Sequence, residues 1–127
     1  MKLNDITEAI IGAAIRVHRA LGPGLLESAY EACLAHELIK AGLKVERQLS
    51  VPVIYDGVTI DCGFRADLVV QDQVVVELKA KEQINPVDLV QLLSYLRLMN
   101  LEVGLLINFH EKMLRDGIRR VVNDYQD

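Results

Sequence analysis

Two cysteines are all that the chain carries, and Cys33 and Cys62 lack the CxxC spacing of a redox pair or a metal knuckle. The expectation is two buried free thiols. The three histidines, His18, His36 and His110, show no zinc spacing either. No stretch of eighteen apolar residues occurs, so no membrane span is expected. The opening Met1-Lys2-Leu3-Asn4-Asp5 lacks the apolar core of a signal peptide, and Asp5 and Glu8 fall where one would sit. A cytoplasmic location is the expectation. Positive charge is scarce as well: 14 Lys and Arg against 18 Asp and Glu leave a net charge of −4. That balance argues against a protein that coats nucleic acid by bulk electrostatics, because phosphate binding rests on Lys and Arg. It is compatible with a metal site built from clustered carboxylates, and any nucleic-acid footprint must then be local. Repeats, linkers and low-complexity segments are absent. The 127 residues, half of them apolar and a quarter charged, are expected to form one domain spanning 1–127.

What the sequence does contain is organised around Phe64 to Lys81, FRADLVVQDQVVVELKAK. Two apolar runs, Leu68-Val69-Val70 and Val74-Val75-Val76, flank the polar Gln71-Asp72-Gln73. This is the pattern of a hairpin of two buried strands. Arg65, Asp67, Glu77 and Lys79 interrupt or border the runs. Burying such charges in a sheet costs several kcal/mol unless they pair or hold a metal.

Elements on either side follow from periodicity. Asp5 to Leu21 reads as a helix, with Asp5 and Glu8 as a capping box and Ile6, Ile10, Ala13, Val17 and Leu21 on one stripe. Gly22-Pro23-Gly24 ends it. A second helix is expected from Leu25 to Ala41, with Leu26, Tyr30, Cys33, Leu34 and Leu38 as its apolar side and Gly42 just past its end. From Lys44 the period becomes two, giving a strand through Val53 that is broken or edged at Pro52. Asp56-Gly57 is a hairpin turn, Val58 to Cys62 the return strand, and Gly63 a candidate bulge. Asn85-Pro86-Val87-Asp88 starts a helix that runs to about Asn100. Leu101 to Phe109 is a buried strand, expected parallel to the Val74 strand because a helix crosses between them. The tail from Glu111 to Asp127 is ambiguous: basic at Arg115, Arg119 and Arg120, with some apolar content at Ile118, Val121 and Val122, and with Gly117 weakening a helix.

Chemistry concentrates on the hairpin. Glu77 and Lys79 are two apart on a strand and point to one face, which Asp67 can reach from the neighbouring strand. Two carboxylates aimed at one point suit a hard cation such as Mg²⁺. Read from the residues alone, the same D…ExK triplet also fits a structural cluster of salt bridges, Lys79 with Asp67 or Glu77 and Arg65 at the rim. Glu27 has two readings too, a site residue or a carboxylate that complements a helix dipole. His18 either faces the site or interacts with the end of its helix.

Two more patterns narrow the choice. Gly24-Leu25-Leu26-Glu27-Ser28-Ala29-Tyr30 is G-x-x-E-x-x-Y, and Gln91 with Tyr95 forms Q-x-x-x-Y on one helix face after the ExK strand. With Asp67 and Glu77-Leu78-Lys79 between them, the ordered set resembles the GxxExxY family, a small-domain branch of the PD-(D/E)xK nuclease superfamily, over nearly the whole chain. The resemblance implies an α/β (α+β) fold, a mixed central sheet flanked by helices with a restriction-endonuclease-like core. It implies Glu27 as the acid of the first core helix, Asp67, Glu77 and the Leu78 carbonyl as metal ligands, and Lys79 as the catalytic lysine. Gln91 and Tyr95 match the QxxxY of RecB-like nucleases, where the pair lies close to the active site and the DNA. Ala66 replaces the proline of the literal PD, and the iron–sulfur cysteines of some RecB-like relatives are missing.

The implied activity is hydrolysis of phosphodiester bonds in DNA, or in RNA, with Mg²⁺ or Mn²⁺ held by Asp67, Glu77 and Leu78 and Glu27 contributing directly or through water. The implied partner is nucleic acid, with no membrane involved; a homodimer would enlarge the binding surface. The competing readings are a catalytically silent nuclease-fold module for protein interaction or oligomerisation, and a hydrolase of a small phosphorylated molecule.

Overall fold

The computed structural model describes residues 1–124; the end of the ambiguous tail, Tyr125 to Asp127, lies outside the described residues. The chain opens with α1 (Leu3–Leu21) and α2 (Glu27–Lys40). β1 (Val45–Ser50) follows, then a short ribbon of β2 (Val53–Tyr55) and β3 (Val58–Ile60). The central hairpin is β4 (Arg65–Val70) and β5 (Val74–Lys79). α3 (Pro86–Met99) leads to β6 (Val103–Asn108), a 3₁₀ turn (Leu114–Gly117) and β7 (Ile118–Val122).

Five strands form one mixed sheet in the order β1-β4-β5-β6-β7. β5, which carries Glu77 and Lys79, is the middle strand. It is antiparallel to β4 and parallel to β6, as a crossover through α3 requires. Alternating side chains split the core in two. Leu68, Val70, Val74, Val76, Leu78, Leu105 and Ile107 pack with α1 and α2 on one face. Val69, Val75 and Leu106 pack with Leu92, Tyr95 and Leu96 of α3 on the other. Gly104 lets α3 approach β6 closely: a Cβ there would stand 2.8 Å from Leu92 Cδ1.

Several expectations need correction. α1 begins at Leu3, so Asp5 is its third residue and not its N-cap; it serves as the acid of the capping box, accepting the Lys2 N–H at 3.3 Å, a role expected for Glu8. Leu21 and Leu26 are exposed, the latter because it precedes α2 and caps it. The Asp56-Gly57 hairpin forms, but it closes a separate two-stranded ribbon; β1 pairs with β4, not with β3. The tail contributes an edge strand. A bend at Gly117 is what permits this, since a Cβ there would meet the Asn108 carbonyl oxygen at 2.5 Å. Cys33 is half-buried, and Cys62 is exposed in the segment after β3. Among the described residues, no helix is long and apolar enough to cross a membrane.

Candidate active site

The paired register of β4 and β5 runs from Val70↔Val74 through Val69↔Val75 to Leu68↔Val76 and stops. The next residues are Asp67 and Glu77. There the Asp67 side chain takes over, its Oδ2 accepting the Leu78 N–H at 2.9 Å. A second irregularity faces this gap on β1. Arg47 and Gln48 are neighbours, which on a regular strand would point to opposite faces, yet both donate to Glu31. Arg47 Nε and Nη2 lie 3.1 and 3.0 Å from Oε2, and Gln48 Nε2 lies 2.6 Å from Oε1. The cause is the left-handed φ of 51° at Gln48, where the β1–β4 pairing skips from Arg47↔Leu68 to Leu49↔Ala66. Before the break, Val45 and Leu68 pack toward α1 and α2; beyond it, Leu49 and Ala66 pack toward α3. Such a conformation costs about 1–3 kcal/mol in a residue other than glycine. Its result is a bridge, since Gln48 Nε2 also donates to Asp67 Oδ1 at 3.1 Å.

Asp67 therefore has both oxygens engaged, whereas Glu77 does not. Glu77 is 6% exposed, and its Oε1 has no hydrogen-bond partner among the described residues. Burial, and next the Asp67 charge, push its carboxyl up to about 9. Left to itself, Glu77 holds a proton at neutral pH. Tyr95 stands nearby on α3: burial, then the Glu77 and Asp67 charges, raise its hydroxyl, and its ring lies 6.1 Å from that of Phe64.

Lys79 is half-buried and its ammonium makes no ion pair or hydrogen bond among the described residues, where the Arg65 guanidinium donates only to the Phe64 carbonyl. The structural salt-bridge cluster is thus not what forms. Other cations pair instead, among them Lys81 with Asp88 at 2.6 Å and Arg47 with Glu31. Asp88 also accepts the Asn85 N–H at 2.8 Å, closing the capping box of α3. Burial pushes the Asp88 carboxyl up, but Lys81 and the Asn85 N–H outweigh it and hold it below its ordinary value. Asn108, fully buried opposite Lys79, clamps the end of β5. Its Oδ1 accepts the Lys81 N–H at 3.2 Å and its Nδ2 donates to the Lys81 carbonyl at 2.7 Å, while Phe109 N–H donates to the Lys79 carbonyl at 2.8 Å.

A carboxylate pair across two adjacent strands, with a lysine two residues beyond the second acid, is now joined by a family match: the model of the PD-(D/E)XK nuclease superfamily covers residues 4–121. The chain belongs to the PD-(D/E)XK nuclease superfamily. No match was found among curated proteins or among solved structures. The five-stranded mixed sheet with flanking helices agrees with a PD-(D/E)XK fold.

The remaining residues singled out by sequence are placed unevenly around this PD-(D/E)XK core. Glu27 is the first residue of α2, exposed, and its carboxylate makes no hydrogen bond or ion pair among the described residues. Glu31, one turn further on, is the buried acid that reaches Asp67 through Gln48. Tyr30 is a brace. Its ring stacks on Phe109 at 4.4 Å, and its hydroxyl donates to the Gly22 carbonyl at 2.6 Å and accepts the Leu25 N–H at 3.0 Å. Gln91 is exposed one turn before Tyr95. His18 is buried and ties α1 to the segment after β6, its Nε2 lying 2.7 Å from the Glu111 carbonyl.

Among the described residues no three His, Cys, Asp or Glu side chains converge as a cation site. Asp67 and Glu77 are a two-carboxylate set. That suits Mg²⁺, which commonly takes one or two carboxylates and completes its shell with waters and substrate phosphate. The unpartnered, buried Oε1 of Glu77 beside Asp67 fits such an ion, whose charge would replace the proton.

Proposed function

We propose that the protein is a metal-dependent nuclease that hydrolyses phosphodiester bonds of DNA, with RNA as the alternative substrate, and that it belongs to the GxxExxY branch of its superfamily. One observation carries this reading: among the described residues Glu77 is buried with one oxygen unpartnered beside Asp67, and the ammonium of Lys79, two residues along the same strand, has no ion pair or hydrogen bond. In this reading Asp67, Glu77 and the Leu78 carbonyl hold Mg²⁺ or Mn²⁺, with Glu27 contributing directly or through water. The ion would supply Lewis-acid stabilisation of the phosphoryl oxygens and a more acidic water. Gln48 and the Leu78 N–H fix the orientation of Asp67. Lys79 orients the attacking water and stabilises negative charge as it develops on the phosphate. The water oxygen bonds to phosphorus, one P–O ester bond breaks, and the leaving oxygen takes up a proton. In this reading Tyr95, whose hydroxyl feels the Glu77 and Asp67 charges, and Gln91 one turn before it on α3 position the strand.

The reaction needs no second subunit, because Asp67, Glu77 and Lys79 all come from one chain; a homodimer would serve to lengthen the binding surface. The competing reading, a silent interaction module, draws on the exposed apolar side chains Ile54, Tyr55, Val58 and Ile60 of the β2–β3 ribbon. Calorimetry with Mg²⁺ and Mn²⁺, with and without an oligonucleotide, is expected to show binding that Asp67→Ala abolishes. Lys79→Ala is expected to remove cleavage of single-stranded or duplex DNA while leaving the melting temperature near wild type. A protein that neither binds metal nor cleaves in any of these assays is the interaction module instead.

A further inference from the structure

Cations are the minority charge in this chain, yet three of them share one concavity. It has a volume of about 540 Å³ and lies between the C-terminal end of α1 and the segment that follows β6. Arg19, Lys112 and Arg115 line it together with His18 and the Gly22-Pro23 turn, and among the described residues no Asp or Glu does. Two acids are sequence neighbours of these cations, Glu111 beside Lys112 and Asp116 beside Arg115, but neither lines the concavity; the Glu111 side chain packs by Gly117, where a Cβ would meet its Cγ at 2.8 Å. His18 forms a fixed wall, since its imidazole is bound to the Glu111 carbonyl and tilted against Phe109.

The position matters as much as the charge. Phe109 donates its N–H to the Lys79 carbonyl, and Lys112 lies only three residues beyond it. The concavity thus opens at the end of the sheet where β5 delivers Lys79. The Gly22-Pro23 side continues through the turn that Tyr30 braces to Glu27. A polyanion crossing the end of the sheet would meet the carboxylate pair at one point and this basic recess at another. The recess is open and mixed in character, with the exposed Met113 among its walls. It offers charge without a set of fixed donors for a base edge. Contacts of that kind position a nucleic acid without reading its sequence.

We propose that this concavity is a second anion site, which grips the phosphodiester backbone of the nucleic-acid substrate away from the bond being cleaved. The proposal rests on the nuclease reading above and deepens it: the local footprint that an acidic protein needs is Arg19, Lys112 and Arg115.

The test is binding of a short labelled oligonucleotide, single-stranded and duplex, by fluorescence anisotropy in EDTA so that no cleavage occurs. Compared with wild type, the double variant Arg19→Ala/Arg115→Ala is expected to bind about tenfold more weakly, with a salt dependence of log K shallower by about 1.5. Lys40→Ala, which removes one exposed charge at the far end of α2, is expected to bind as wild type. If the double variant does not fold, Arg19→Gln and Arg115→Gln taken singly are expected to show about half of the slope change each. Wild-type affinity in these variants, a loss equalled by Lys40→Ala, or no oligonucleotide binding by wild type at low salt would overturn the proposal. The two readings fail differently. Cleavage by wild type with an unchanged KM in the double variant sinks the concavity alone, whereas charge-dependent binding without cleavage at any metal concentration sinks the nuclease and leaves a nucleic-acid-binding recess.

Discussion

Glu77 links the site to pH. Its carboxyl is raised from 4.5 to about 9, so between those values the folded state binds more protons than the unfolded state. Stability then falls as pH rises through this window, by at most about 1.4 kcal/mol per pH unit, and levels off above it. In EDTA the melting temperature is expected to decline between about pH 5 and about pH 9, and Glu77→Gln to flatten that decline. The same slope in the variant would assign the effect to other groups. Gln48 acts one shell out. Gln48→Ala leaves Asp67 Oδ1 and Glu31 Oε1 without their shared donor, and Mg²⁺ affinity measured by calorimetry is expected to fall about 10–100-fold. Unaltered affinity would make the bridge purely structural. At this scale the sequence was legible where the period of two held: Asp67, Glu77 and Lys79 stand out as charges in apolar strands. Glu31 and Gln48 did not, because their meeting depends on one left-handed φ that no apolar pattern encodes. Asn108 was hidden because its partner, the Lys81 backbone, is 27 residues away and is met only once β6 lies beside β5.

Elements were legible where both ends carried signals. Asn85-Pro86 and Asp88 announced α3, and a crossover helix between two apolar runs made β5 and β6 parallel. Strand partners were harder, because alternation identifies a strand without saying what lies beside it. The β2–β3 ribbon was therefore read as part of a continuous series, although it stands apart from the sheet that β1 and β4 form together. The turn between α1 and α2 makes a prediction of its own. Tyr30→Phe keeps the stacking on Phe109 but leaves the Gly22 carbonyl and the Leu25 N–H without their partner, and is expected to cost about 1–3 kcal/mol in chemical denaturation. A variant as stable as wild type would show that water replaces the hydroxyl there.

Over the whole molecule, charge is sorted, not spread. Acids meet at the middle strand, three cations gather in the recess past the end of α1, and Arg119 and Arg120 stand exposed on the edge strand β7. Charged edges discourage sheets from joining edge to edge, so an assembly through the ribbon is easier to reconcile with β7 than one through that edge. The clamp at the end of β5 also has a history in time. Asn108 holds Lys81 from 27 residues away, and His18 holds the Glu111 carbonyl from 93. Contacts of such long separation are slow to form, so the β4–β5 hairpin, whose partners are close in sequence, is expected to close before them. A chain that stops before β6 would carry Asp67, Glu77 and Lys79 without Asn108 to hold the strand end that presents them. A fragment ending at Asn100 is expected to bind no Mg²⁺ by calorimetry, and binding equal to that of the full chain would show that the hairpin suffices. On this account the strand end stays loose until β6 has docked beside it.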